Sequence, residues 1–218
     1  MDSGLEGSAR ANKLGAWMGI VFVVLFVAGF IVFPTPDDNK DTAKWQQWWT
    51  DSGHRVGAII GAYLMVFGLL AFVCFMWGLN RRLHDRGGMM ITFGSLFVAF
   101  AMISALVRAS VPGAKQFGDV PVPSGDFARQ FDQLGFALLL VAGALTAGAF
   151  VAAASYLARR AQILPGWLTI AGYVVAVLQL AAALFFPFIL FVLWILVGSI
   201  VLLARASRAD TVVAATAT

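Results

Sequence analysis

The chain has 218 residues, 61% of them hydrophobic and only 12% charged, with a mean hydropathy of +0.86. Soluble domains carry about twice that share of charge, so the composition excludes a water-soluble enzyme or binding domain. It is that of an integral membrane protein with no room for a separate soluble catalytic domain. A net charge of +4 and a pI of 9.6 do not point to nucleic acid, because the basic residues fall in short clusters beside apolar runs, as topology signals do.

Crossing about 30 Å of hydrocarbon takes about 20 helical residues. Apolar runs of that length give spans at about 14–33, 56–79, 87–108 and 133–158, free of charge but for Arg108 closing the third. A last run, Ile163 to Ala204, has 42 residues, roughly 63 Å as straight helix, and must fold back. Phe186-Pro187 is the expected turn, because proline lacks an N–H and pushes the residue before it out of helical geometry. The run then gives spans at 164–186 and 187–205. The fold class is therefore all-α and polytopic, with six transmembrane helices in a domain of residues 14–205. A tail at 1–13 precedes it and a flexible tail at 206–218 follows. The first run ends in Phe33-Pro34-Thr35-Pro36 and is longer than the apolar region of a signal peptide, so it reads as a retained helix.

With an even number of spans the termini share a side. Placing them inside puts nine lysines and arginines on that side, among them Arg81, Arg82, Arg86, Arg159 and Arg160 in short loops, against six outside. Both termini are expected to be cytoplasmic.

The outer segments hold most of the polar sequence. Between the first two spans a turn-forming Pro34-Thr35-Pro36-Asp37-Asp38 leads to Trp45, Trp48 and Trp49, which share one helical face and predict either a short helix at the membrane interface or a platform on which a substrate stacks. Between the third and fourth spans, 110–125 is rich in proline and glycine and is expected to be an irregular loop, with Ser124 or Asp126 capping the next helix. Small residues four apart, Gly15 with Gly19, Gly57 with Gly61, and Ala144, Gly148 and Ala152, mark packing faces. They pack helices within the chain or join copies or other subunits into an oligomer.

Chemistry has few residues to work with. Cys74 has no partner, His54 and His84 fall on opposite sides of the membrane, no span contains a carboxylate, and no nucleophile or phosphate-binding motif occurs. No metal or cofactor is expected. Gln179, deep in a span, is explained by an interhelical hydrogen bond. A polar group remains at the outer boundary: Asp51, His54 and Arg55 opening the second span, Arg108 closing the third, and Arg129 and Asp132 opening the fourth. Three helix ends are expected to bring these to one depth, with Asp51–Arg55 and Arg129–Asp132 spaced for ion pairing and Arg108 needing a carboxylate such as Asp132. The group is either an ion-pair network or a shallow pocket for an anionic headgroup or small acid, with His54 titrating.

Ala11-Asn12-Lys13-Leu14-Gly15-Ala16-Trp17, Gly53-His54-Arg55-Val56-Gly57, Leu79-Asn80-Arg81-Arg82-Leu83 and Leu164-Pro165-Gly166-Trp167-Leu168 open or close helices. In these the chain resembles uncharacterised six-helix membrane proteins common in high-GC Gram-positive bacteria. The resemblance implies a fold and a location and no activity.

Three functions fit these residues. The first is a non-enzymatic accessory subunit or a binder of lipid or a small hydrophobic ligand, with membrane lipids as partners. The second is a small-molecule carrier, which mid-membrane helix breaks would support. The third is an enzyme acting on lipid headgroups, with His54 as base beside Asp51, which requires the two to meet at a cavity.

Overall fold

A computed structural model describes residues 2–36, 41–83, 88–184 and 186–216; they are nearly all helical, with no strand among them. The expectations resting on Asp37, Asp38, Lys40, His84 and Arg86 fall outside the described residues. Helix α1 is Asp2–Val32, α2 Thr42–Trp48, α3 Ser52–Leu83 and α4 Met89–Gly118. Helix α5, Gly125–Ala137, passes through a π-helical stretch, Leu138–Gly143, into α6, Ala144–Ala161; α7 is Gly166–Leu178 and α8 Phe186–Thr216. Among the described residues five helices are long and apolar enough to cross a membrane, and a further apolar helix, Gly166–Ala182, is shorter. The chain is a helical membrane protein close to the six-span plan.

Neighbouring helices run antiparallel. Gly15 of α1 meets Gly78 of α3, while Gly29, at the other end of α1, meets Gly61. Phe22 and Phe26 of α1 face Phe191 and Phe188 of α8 in that order. Both termini therefore lie at one end of the bundle and α2 at the other. The core between them is a phenylalanine cluster in which Phe22, Phe72, Phe97, Phe150 and Phe191 are all fully buried. Several of their ring pairs meet near edge-on, at 4.9–6.5 Å between centroids, the arrangement that ring quadrupoles favour. The glycines of the small-residue faces pack inside the chain: Gly148 lies against Gln179, Gly61 against Phe33, and Gly19 against Phe75. Large apolar side chains such as Ile31, Tyr63, Leu106 and Val177 stay exposed, the surface that lipid covers.

Three expectations change. Residues 110–125 are not one irregular loop, for α4 continues to Gly118 with Pro112 inside it. A proline there removes only the hydrogen bond to the Arg108 carbonyl, and Val111 and Pro112 are buried in the packing that holds the turn. The helix stops where Asp119 takes a left-handed conformation, φ 47°. The short helix expected at the tryptophans is present as α2, but the face that carries Trp45 and Trp49 is turned inward. Trp45 and Trp49 are buried in the cap that α2 forms across α5. Thr42 at the start of α2 donates to Asp126 at 2.9 Å, so Asp126 ties the two helices together. Ser124 sits at the N-cap of α5 without a side-chain bond. Third, α8 runs on to Thr216, through the segment assigned to the tail.

The expected hairpin is present. After α7 a 3₁₀ stretch, Gln179–Leu184, leaves helical geometry at Ala181 (φ −105°, ψ 20°), and α8 starts at Phe186. Gln179 Nε2 donates to the Pro187 carbonyl at 2.6 Å, closing the hairpin with the hydrogen bond its polarity called for.

Candidate functional site

The six polar residues expected at one depth separate into two levels. Asp51, His54 and Arg55 sit at the elbow between α2 and α3. Arg108 and Asp132 lie deeper: Gly61 packs on Phe33, whose ring faces Arg108, and Gly61 is seven residues below His54 on α3, about 10 Å.

At the elbow, α3 needs a cap and Asp51 provides it, accepting from the His54 backbone N–H at 3.0 Å. That bond, more than the nearby His54 and Arg55 side chains, holds the Asp51 carboxyl below its usual pKa. His54 is fixed twice. Its Nδ1 faces the Trp48 carbonyl at 3.2 Å, and its ring lies flat on the Trp48 indole, centroids 3.6 Å apart and planes 5° from parallel. With Nδ1–H donated to a carbonyl, Nε2 is the open ring nitrogen. The expected Asp51–Arg55 pair does not form. Arg55 instead donates to the carbonyls of Trp49 (3.0 Å) and Thr50 (2.6 Å) and to Gln116 Oε1 (3.0 Å), stitching the elbow to the end of α4. Trp48, Asp51 and His54 line an open cleft of 690 Å³ with Pro36, Lys44, Gln47 and Thr50. Trp48 Nε1 is buried there without an acceptor among the described residues.

At the lower level Arg108 Nε donates to Asp132 Oδ1 at 2.8 Å, with side-chain exposures of 3% and 5%. The guanidinium carbon lies 4.2 Å from the Phe33 ring centroid and 4.0 Å from that of Phe136. Gly135 admits this packing, since a Cβ there would run into the Arg108 side chain, and Ser104 Oγ donates to the Gly135 carbonyl at 2.7 Å alongside. Asp132 is thus buried within a spanning helix that starts at Gly125, whereas the sequence placed the span at 133 and saw no carboxylate inside any span. Asp132 is taken by Arg108, and among the described residues no ion pair joins it to Arg129.

Arg55 is engaged by oxygens of the fold and Arg108 is sealed against Asp132, and neither lines the cleft. Nor is a base built at His54. Its Nδ1 stands 3.9 Å from Asp51 Oδ1, beyond hydrogen-bond reach, and each atom already has a backbone partner. The described residues contain no group of three His, Cys, Asp or Glu placed to hold a metal ion. Sequence reasoning offered the tryptophans as a stacking platform but missed Gln47 and Lys44 in the cleft. The three-and-four spacing of the tryptophans was the available signal, but it does not distinguish a lipid-facing stripe from a folded cap.

A model of a family described as a protein of unknown function, DUF805, matches residues 5–119, just over half of the chain. That region takes in α1 to α4 and so Asp51, His54, Arg55 and Arg108, and ends before Arg129 and Asp132. No curated protein and no solved structure matches the chain.

Proposed function

The chain belongs to the DUF805 family, whose function is unknown, and from that premise we propose that it is a non-enzymatic protein of the bacterial plasma membrane. In this reading both termini are cytoplasmic, and the cleft at the α2 end holds a lipid headgroup or a small, partly apolar ligand on the outer face. The observation that carries it is the fixed Trp48–His54 stack on the wall of that cleft. Stack and carbonyl together lock the imidazole, so its Nε2 is held in place before anything binds, and preorganisation lowers the cost of binding. Lys44 and Gln47 add donors beside an indole face, the mix of one flat apolar wall and a few polar groups that small-ligand sites use.

The test is mass spectrometry of the gently purified full chain, looking for a co-purifying molecule. Trp48→Ala and His54→Ala should each lower its retention about tenfold, the worth of roughly 1.4 kcal/mol, while Arg129→Ala leaves it unchanged. Equal retention in all three variants would overturn the assignment of the cleft.

One observation favours a second reading, a carrier. The π-helical stretch at 138–143 and the 3₁₀ stretch at 179–184 pack against each other, and Gln179 Oε1 is buried there without a donor among the described residues. Paired helix irregularities in a membrane bundle are where carriers place their sites. Uptake of a ligand into vesicles, abolished by Gln179→Leu and indifferent to Trp48→Ala, would favour it over binding alone.

A further inference from the structure

At the opposite end of the bundle from the α2 cleft, α1 and α3 touch backbone to backbone. A Cβ on Gly15 would lie 2.9 Å from the Gly78 Cα, and one on Gly78 would lie 2.8 Å from the Gly15 Cα. Two missing side chains at a crossing leave a trough beside it. The trough measures 340 Å³ and runs between Met18, Val73, Cys74 and Trp77, with Arg81 at its end. From Val73 to Arg81 the helix rises about 12 Å, most of the roughly 15 Å of hydrocarbon in one leaflet. Trp77 is 66% exposed beside the trough, one turn before Arg81, where an indole marks the boundary between tails and headgroups.

Arg81 has no hydrogen bond or ion pair among the described residues. Two arginines at this end are engaged, for Arg205 donates to the Gln162 and Ile163 carbonyls and Arg160 stacks on Tyr156. An unengaged guanidinium at headgroup level, closing an apolar trough open to lipid, complements a phosphate in charge and in fork geometry. We infer that the trough seats one anionic phospholipid of the leaflet at the termini end, an acyl chain lying over Gly15 and Gly78 and the phosphate on Arg81. This site is independent of the cleft at the other end.

The full chain is offered equal amounts of phosphatidylglycerol and phosphatidylcholine with matched chains and analysed by native mass spectrometry. Phosphatidylglycerol should be retained preferentially. Arg81→Gln should lower that retention about fivefold, the effect of one basic side chain at an anionic surface, and should lower that of phosphatidylcholine less, because the choline cation offsets its phosphate charge. Cys74→Trp, which fills the trough and leaves Arg81 in place, should lower it as well. A drop with Arg81→Gln alone would reduce Arg81 to a general surface charge and overturn the trough, and no drop with either overturns the site. Cys74 is the single cysteine, so the unaltered chain offers a further check. Its alkylation in nanodiscs should slow when phosphatidylglycerol replaces phosphatidylcholine. Equal rates, or a dimer whose interface shields Cys74 in both lipids, would contradict the proposal.

Discussion

Arg108 shows how a membrane bundle accommodates a permanent charge. Burying a guanidinium alone is costly, so two phenyl rings lie against it and its Nε is given to a carboxylate that is equally buried. Removing one partner leaves the other charge stranded, so Arg108→Ala and Asp132→Ala should each cost about 3–5 kcal/mol. The double variant should lose less than the sum, because the two changes remove one interaction. Thermal unfolding in detergent reads all three, and strictly additive losses would count against the pair. The need for this partner was legible in the sequence: twenty apolar residues end in an arginine, and the next span opens with an aspartate. Its depth was not, because the 110–125 segment was read as a loop from its prolines and glycines. At the elbow, Asp51 has its pKa lowered by the His54 amide. The cap it forms is complete above the ordinary carboxylate pKa, about 4, and is lost as pH falls through the lower folded value. The His54 amide resonance should titrate with a midpoint below that of a free aspartate; a midpoint above it would mean that the cap does not hold.

Among the elements, the hairpin of α7 and α8 was readable because 42 apolar residues exceed any single crossing, and proline named the place to within a few residues. What the sequence did not show is how the turn avoids stranded backbone groups in a segment without polar side chains. Gln179 resolves it by donating to the Pro187 carbonyl. Gln179→Leu should lower stability by about 0.6 kcal/mol and by no more than about 1.7, the range measured for hydrogen bonds inside membrane bundles. No change, read by the same unfolding assay, would show that the turn closes without it. The π-helical stretch was also beyond sequence reading, since Leu138–Gly143 is ordinary apolar helix in composition. There Thr146 Oγ1 lies 2.8 Å from the Ala142 carbonyl and 2.9 Å from that of Gly143, a local competition with the helix ladder that threonine permits anywhere it occurs.

The whole molecule is an antiparallel bundle whose two ends differ in kind. One end carries α2, the cleft and the long connections; the other carries both termini and the arginine-dense connections. That asymmetry was legible because length sets where helices cross and the basic residues cluster in the short connections of one end. The cap was not, since α2, seven residues long, owes its place to burial of Trp45 and Trp49 against the rest of the chain rather than to a periodicity of its own. The proposed function depends on which end faces outward, and one measurement decides it. In a chain with Cys74 replaced by alanine, single cysteines are placed at Val120, exposed between α4 and α5, and at Ala161, exposed at the end of α6. Intact cells are then treated with a membrane-impermeant thiol reagent. The account predicts modification of the cysteine at 120 in intact cells and of that at 161 only after the membrane is opened; the reverse pattern, or labelling of both in intact cells, would contradict it.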